Sequence, residues 1–217
     1  MGQTLRAMPA LPDPGLRSSN GLANCAGIKV PANLALTPAM LDGSFAPDLL
    51  SAALESIRPT DRVLHLGAGL GILTAAIARI CRPAALLAFE NDLALLAQAR
   101  AVFCHNDIDT EILLRPGIVV AEPPASDGAA SSPVIAHARL RLGYLHNVII
   151  LQTGGEEKAF LRQANLAGVR LVLVALHPSV YGREGVRACR RALRRAGYEC
   201  DLGLSRAELG VYHRVRA

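Results

Sequence analysis

The sequence predicts an α/β fold: a doubly wound, mostly parallel, seven-stranded sheet that ends in an antiparallel strand pair. Three observations lead to this prediction. Short apolar segments alternate with helical patterns along most of the chain. The first of these strands runs into a glycine-rich loop and then a helix, over residues 62–74. The last two apolar segments follow each other without a helix between them, which indicates an antiparallel pair.

Composition predicts one folded domain over residues 29–217. Hydrophobic residues make up 51% of the 217 residues and charged residues only 19%, which is typical of a chain with a large core. Residues 1–28 are rich in proline, glycine and serine, so we expect an irregular N-terminal lead-in there. The chain has no tryptophan, which argues against functions that depend on aromatic stacking, such as binding of single-stranded nucleic acid.

The net charge of +5 comes almost entirely from arginine, since only Lys29 and Lys158 are lysines. Six arginines fall within residues 183–195 and cover one broad side of a predicted helix. A solvated helix face explains this cluster better than a nucleic-acid patch, because a moderate net charge says little about partners. Nucleic acid is therefore not the expected partner, although an acidic partner is left open.

The cysteines predict neither a disulfide framework nor a metal site. The five of them are scattered, with no C-x-x-C pair and no histidine at zinc-finger spacing, at Cys25, Cys81, Cys104, Cys189 and Cys200. Unpaired thiols of this kind are typical of cytosolic proteins. We see no signal-peptide core and no apolar run long enough to span a membrane. We therefore expect a cytoplasmic protein.

Each element follows from local periodicity and from the turn residues around it. Helices are predicted at 48–57, 73–80, 93–104, 156–166 and 185–196, and strands at 62–66, 84–89, 111–120, 146–151, 169–176, 198–204 and 209–215. The strand at 62–66 is apolar apart from His65, as expected for a strand buried on both faces of a parallel sheet. Residues 121–133 have no periodicity and predict a surface loop.

The glycine loop predicts a nucleotide-cofactor site. Gly67, Gly69 and Gly71 have the spacing G-x-G-x-G directly after the first strand. Because glycine has no side chain and accepts positive φ, such a loop lets the backbone approach a ligand closely. The dinucleotide fingerprint requires its third glycine one position later, where this chain has Ile72, so a hydride-transfer function fits less well.

Glu90 ends the second predicted strand, about 20 residues beyond the glycine loop. An acidic side chain at this position can accept hydrogen bonds from both hydroxyls of a ribose. The alternative is a glutamate that caps the next helix, which Asn91 and Asp92 open. The offset from the glycines favours ribose binding.

These motifs resemble those of the class I S-adenosylmethionine-dependent methyltransferases, and the FkbM-type methyltransferases in particular. The resemblance covers residues 30–215 and rests on the strings at 40–45, 61–71, 88–91, 154–156 and 176–178. It implies a Rossmann-like methyltransferase fold, S-adenosylmethionine as the cofactor, and O-methylation of a small-molecule or sugar-like hydroxyl. The implied cofactor-binding residues are His65, Gly67, Ala68, Gly69, Gly71, Glu90 and Asn91, with Glu90 on the ribose hydroxyls and Asn91 near the adenine edge.

The chain departs from the pattern of this family at four positions that are usually acidic. They are occupied here by His65, Leu151, Thr153 and Ala175. Together these changes remove much of the polar apparatus around the acceptor site that the resemblance implies. Two hypotheses follow: an active methyltransferase, or a weak or inactive methyltransferase-like domain with a binding or assembly role. Retention of the glycines with Glu90 favours the first, because internal glycines destabilise a fold.

Catalytic residues are not identified by the sequence, and Glu156 and His177 are the weak candidates. Glu156 could equally serve the dipole of the helix that it opens. His177 precedes Pro178, which favours a structural role because a residue before proline is confined to extended geometry. A satisfied buried histidine is as good an interpretation of His65 as a cofactor contact. The predicted partner is a small-molecule acceptor, and a homo-oligomer is left open.

Overall fold

A seven-stranded sheet forms the centre of the computed structural model, which describes residues 22–25, 27–31, 34, 47–108, 110–122 and 133–215. In chain order the described elements are β1 (Leu22–Cys25), β2 (Ile28–Pro31), α1 (Pro47–Ser56), β3 (Arg62–Leu66), α2 (Ile72–Ile80), β4 (Ala85–Glu90), α3 (Leu93–Cys104), β5 (Ile112–Pro116), β6 (Ile118–Val120), β7 (Val134–Ala136), α4 (His137–Gly143), β8 (Val148–Leu151), α5 (Glu157–Gln163), β9 (Leu171–Ala175), α6 (Pro178–Arg195), β10 (Tyr198–Cys200) and β11 (Leu209–Arg214).

The central sheet has the spatial order β10-β11-β9-β8-β3-β4-β5. Its pairings are parallel from β9 to β5, whereas β11 runs antiparallel to both β9 and β10. This confirms the predicted doubly wound, mostly parallel sheet with a terminal antiparallel pair. No helix in the described ranges combines the length and the apolar character that a membrane span requires.

Both faces of the sheet are covered, as continuous apolar strands predict. In β8, Val148 and Ile150 pack in one core cluster with residues of α1, α2 and α3, whereas Ile149 and Leu151 pack in a second cluster with residues of α5 and α6. All four side chains are fully buried. The alternation follows from the strand period of two, which sends successive side chains to opposite faces.

The chain order reverses between β3 and β8. From β3 the chain adds β4 and β5 on one side, and it then returns to add β8 and β9 on the other. Such a switch point leaves a crevice at the carboxyl ends of the two central strands, which is where ligands bind in open α/β sheets. The glycine loop follows β3 at this point.

A short hairpin replaces part of the predicted irregular lead-in. Strands β1 and β2 pair antiparallel. Asn106, just beyond α3, holds β2 in place: its Oδ1 accepts from the N–H of Lys29 at 2.9 Å, and its Nδ2 donates to the carbonyl of Lys29 at 2.8 Å. The prediction of an irregular segment is therefore wrong for β1, and residues 1–21 lie outside the described residues.

The segment between β4 and β8 is more divided than predicted. The strand expected at 111–120 divides into β5 and β6 at Pro116 and Gly117, where the sequence predicts a bend or a hairpin and where φ of Gly117 is +132°. Strand β6 leaves the central sheet and pairs in parallel with β7, and the unpredicted helix α4 follows. Most of the predicted loop, residues 123–132, lies outside the described residues, as do the motif residues 40–45.

Two further boundaries differ from the prediction. Helix α6 begins at Pro178, well before residue 185, and Gly182 interrupts it with φ 65° and ψ 177°. Strand β10 ends at Cys200 because Oδ1 of Asp201 accepts from the N–H groups of Gly203 and Leu204 and forms a turn. The other predicted strands and helices lie at the observed positions.

Candidate functional site

The glycine loop folds back over the end of β4. The N–H groups of Gly67 and Ala68 both donate to the carbonyl oxygen of Phe89, at 3.0 and 2.9 Å. Gly67 has a φ of +82°, and a Cβ atom there would lie 2.1 Å from the carbonyl oxygen of Gln152, which follows β8. Only glycine fits where these two strand ends approach each other so closely.

Gly69 is the loop residue that faces open space. Its φ is +55°, and a Cβ atom there would meet no heavy atom within 4 Å in the described part of the chain. Its N–H donates to Oε2 of Glu90 at 2.7 Å. Gly71 differs, because a Cβ atom there would lie 2.7 Å from the ring of Phe103. The third glycine of the motif therefore permits close packing of α2 on α3.

Glu90 is oriented by two backbone amides. Its Oε2 accepts from Gly69, its Oε1 accepts from the N–H of Asp92 at 2.9 Å, and the residue is only 5% exposed. The cap of α3 is Asp92, whose Oδ1 accepts from the N–H groups of Ala94 and Leu95. A carboxylate has about four acceptor positions, so these two bonds leave capacity for ligand hydroxyls.

A cavity of about 310 Å³, the first cavity, opens beside this loop. Its walls are mainly apolar and include Leu66, Phe89, Leu95, Ile118, Val119 and Phe160. Six of the predicted site residues also line it: Gly67, Ala68, Gly69, Glu90, Asn91 and Glu156. An apolar pocket with a few convergent polar groups is the usual form of a nucleotide or cofactor site.

His65 lies beneath the loop and is fully buried. Its Nδ1 is 2.9 Å from Oγ1 of Thr74, in α2. Burial lowers the pKa of His65 to about 4, so the imidazole is neutral at neutral pH. The residue therefore supplies no negative charge in place of the acidic residue that the resemblance implies at this position, and its role as a cofactor contact stays a prediction.

A second cavity of about 250 Å³ lies next to the first. Gln152 lines both of them, at the carboxyl end of β8. The other polar side chains of the second cavity are Asp48, His177, Ser179 and Glu208. The two weak catalytic candidates are thus divided, because Glu156 lines the first cavity and His177 lines the second.

Glu157 is a functional candidate that the sequence interpretation missed. It is fully buried, and its Oε1 accepts from the N–H and the hydroxyl of Thr153 at 2.8 and 2.9 Å. The same oxygen lies 3.5 Å from Nδ1 of His177, and neither that Nδ1 nor Oε2 of Glu157 has a hydrogen-bond partner among the described residues. Two consecutive glutamates open α5, and the sequence does not indicate which of them faces inward.

The remaining positions at which the resemblance implies an acidic residue lie in different environments. Leu151 is fully buried in the core, Thr153 binds Glu157, and Ala175 lines the second cavity. Glu157 therefore places one carboxylate near Thr153, where the resemblance implies an acidic side chain. Two neighbouring cavities thus share Gln152, one beside the glycine loop and one beside Glu157 and His177.

No protein-family model and no curated protein matches this chain significantly. Solved structures do match it. One is TYW2 of M. jannaschii in complex with AdoMet, with a TM-score of 0.54, 10% identity, and coverage of 92% of this chain and 90% of that chain. Another is the ribosomal protein L11 methylase of Lactobacillus delbrueckii subsp. bulgaricus, with a TM-score of 0.54, 13% identity, and coverage of 84% and 91%.

A third match is a protein of the NADB-Rossmann superfamily from Streptococcus agalactiae, with a TM-score of 0.52, 13% identity, and coverage of 85% of this chain and 71% of that chain. Identities this low identify the fold alone. The fold is the Rossmann-like one that S-adenosylmethionine-dependent methyltransferases share, as the motifs imply.

Proposed function

We propose that this chain is an S-adenosylmethionine-dependent methyltransferase that methylates a hydroxyl group of a small-molecule or sugar-like acceptor. The observation that carries the proposal is the pairing of Gly69 with Glu90 at the wall of the first cavity, at the switch point of the sheet. The solved structure of TYW2 with AdoMet, which has the same fold, adds support. The FkbM-type relationship and the cytoplasmic location stay predictions from the sequence.

The residues of the first cavity fit the cofactor. The carboxylate of Glu90 would accept from the ribose hydroxyls, and the open face of Gly69 would admit the ligand against the backbone. The apolar walls suit the adenine ring, and Asn91 would lie at its edge. When bound, S-adenosylmethionine supplies a methyl group that its sulfonium already activates, so the protein has mainly to align the reactants.

The second cavity is the proposed acceptor site. His177 lines it, and Nδ1 of this histidine faces the buried Glu157. Nε2 is then the ring nitrogen that can accept a proton from an acceptor hydroxyl, while Glu157 orients the ring. Gln152 stands between the two cavities. Glu156 lines only the first cavity, so it is better placed to bind the cofactor than to act on the acceptor.

Cofactor binding is the first test. Calorimetric titration with S-adenosylhomocysteine should detect binding, and Glu90→Ala should weaken it by about 1–3 kcal/mol because ligand hydroxyls lose their acceptor. Glu111→Ala, an exposed glutamate outside both cavities, is the matched control and should leave the affinity unchanged. Absence of heat and of thermal stabilisation at millimolar ligand would refute the enzyme proposal and leave a methyltransferase-like scaffold.

Turnover needs its own measurement. Formation of S-adenosylhomocysteine from S-adenosylmethionine is followed with a panel of polyols and glycosides. A rate above that of the cofactor alone, lost in Glu90→Ala, is the expected result. Cofactor binding without any such rate would contradict the hydroxyl acceptor while leaving the cofactor site intact.

A further inference from the structure

A groove rich in arginine, called here the arginine groove, lies between α6 and the turn that joins β10 to β11. Its volume is about 570 Å³. One wall carries four arginines of α6, and the other carries Arg206. The groove is lined by Arg187, Arg190, Arg191, Arg194 and Arg206 together with Cys200, Leu202, Ser205 and Tyr212. Every charged side chain at its surface is thus a guanidinium group.

The orientation of the helical wall is fixed by packing. The four arginines are spaced three and four residues apart, so they share one face of α6. A separate face of the same helix carries Val186, Cys189 and Leu193, which are buried in the core. Because the apolar face cannot leave the core without loss of stability, the arginine face always lines the groove.

The facing wall is ordered by its own hydrogen bonds. Oγ of Ser205 accepts from the N–H of Val211 at 2.9 Å, and the N–H of Ser205 donates to the carbonyl of Asp201 at 2.9 Å. Arg206 follows directly, and its Nη1 donates to the carbonyl of Gly203 at 2.7 Å. The turn therefore presents a fifth cation across from the helix, which the sequence pattern of the helix alone does not reveal.

The positive charge of the groove is only partly neutralised. Glu184 contacts Arg191 at 2.7 Å and Arg187 at 3.6 Å, and Arg206 lies 4.0 Å from Asp48. In the described part of the chain, no ion pair includes Arg190 or Arg194, both of which are exposed. Two carboxylates thus contact three of the five guanidinium groups, and the groove keeps a surplus of positive charge.

We propose that the arginine groove binds the phosphodiester backbone of a nucleic acid. Guanidinium groups bind phosphate oxygens through paired N–H donors. From Arg187 to Arg194 the helix rises about 10 Å, about three times the 3.4 Å rise per phosphate of one B-DNA strand, so the groove is longer than a single phosphate requires. Composition alone does not predict this partner, because the chain has no tryptophan and the one aromatic residue that lines the groove, Tyr212, is buried. The proposed binding therefore depends on contacts to backbone phosphates rather than on base stacking.

Two other anionic partners fit less well. A membrane surface requires an amphipathic helix with an apolar face free to insert, but the apolar face of α6 is buried in the core. Leu202 is the one strongly exposed apolar side chain that lines the groove, which is little for membrane insertion. A single phosphate group would engage only part of the set of five guanidinium groups.

The groove also adjoins the proposed acceptor site. Asp48, which contacts Arg206, lines the second cavity. A nucleic acid held in the groove would therefore pass near that cavity. The binding itself needs no cofactor, so this proposal does not rest on methyl transfer and fails or holds independently of it.

The test is fluorescence anisotropy of labelled oligouridine RNA titrated with the full chain, without cofactor, over a salt series from about 50 to 200 mM. The charge-removing pair Arg190→Gln/Arg194→Gln is compared with Arg100→Gln/Arg162→Gln. Both pairs remove two exposed helical arginines, but the second pair lies outside the groove. Glutamine is a good helix former, and circular dichroism checks that both variants fold.

Wild type should bind with an affinity that falls steeply with salt. The groove variant should bind about tenfold more weakly, and its slope of log affinity against log salt should be shallower by about 1.4, since each phosphate contact on a single strand contributes about 0.7. The control should change by less than about twofold. If oligothymidine DNA binds as tightly as oligouridine RNA, the contacts are made to the phosphate backbone that both share. If RNA binds more tightly, the 2′-hydroxyl contributes in addition. Either result supports the proposal.

Four results would overturn it. They are no binding at the lowest salt, an equal loss in groove and control variants, full competition by inorganic phosphate at the ionic strength of the assay, and arginine-dependent binding to phosphatidylserine vesicles without binding to either oligonucleotide.

Discussion

Two buried carboxylates lie at opposite ends of the strands of the central sheet, and they differ in how completely their oxygens are hydrogen-bonded. Asp61 precedes β3 at its amino end and is 1% exposed. Arg170 donates to both of its oxygens, Nδ2 of Asn147 donates at 2.9 Å, and the N–H of Arg58 donates at 2.7 Å. Glu157, at the carboxyl edge, has one oxygen without a partner among the described residues.

On the proposed function, this difference separates a structural carboxylate from one that serves the ligand site. A buried polar network that is fully satisfied stiffens a fold, whereas a partly satisfied one costs stability and persists where function requires it. The network of Asp61 ties β3 to β8 and β9 and is remote from both cavities. Glu157 faces His177, which lines the second cavity. We therefore expect the amino edge to govern stability and the carboxyl edge to govern ligand chemistry.

The largest expected effect is at the amino edge. Asp61→Ala should lower the free energy of unfolding by about 3 kcal/mol, because Arg170 and Asn147 lose their shared acceptor. Urea denaturation at neutral pH measures it. Asp107→Ala, at an exposed position, should change stability by less than about 0.5 kcal/mol. Equal losses in the two variants would show that the Asp61 network contributes nothing specific.

The second effect is a pH dependence. Burial lowers the pKa of His65 to about 4, so the unfolded chain takes up this proton as the pH falls below about 6.5 while the folded chain does not. The stability that neutral His65 contributes is therefore complete above about pH 6.5 and is lost as the pH falls toward 4. Each buried histidine of this kind should lower the free energy of unfolding by about 2 kcal/mol as the pH falls from about 7 to about 5.

His65→Asn isolates this contribution, because an amide keeps a polar atom near Thr74 but does not titrate in this range. The variant should lose about 2 kcal/mol less than wild type over the same pH interval, measured by urea denaturation at each pH. Burial also lowers the pKa values of His137 and His146 to about 4, so the His65→Asn variant retains part of the pH dependence. Parallel pH profiles for variant and wild type would mean that the pKa of His65 is the same in the folded and unfolded states.

The smallest effect is at Glu157. Glu157→Gln should stay within about 1 kcal/mol of wild type in unfolding free energy, because the amide oxygen still accepts from Thr153 and an incompletely paired buried charge disappears. Urea denaturation alongside Asp61→Ala measures the contrast. A loss as large as that of Asp61→Ala would place Glu157 among the structural carboxylates.

Much of the fold could be predicted because its signals are local. The apolar run of β8 and the leucine and alanine repeat of α3 lie within one element each, and period and composition identify them. Strand β2 was missed because it depends on Asn106, far away in sequence. Helix α4 and the β6–β7 pair were missed for a similar reason, since their short segments acquire a partner only in the folded chain.

The sequence by itself determined the sheet, the glycine loop and Glu90, because each follows from residues close together along the chain. The tertiary structure alone decided which glutamate of α5 faces inward, which cavity each candidate lines, and that Arg206 stands opposite the arginines of α6. Backbone periodicity encodes an element within a few residues. The juxtaposition of side chains from separate elements is set by packing, which no local pattern contains.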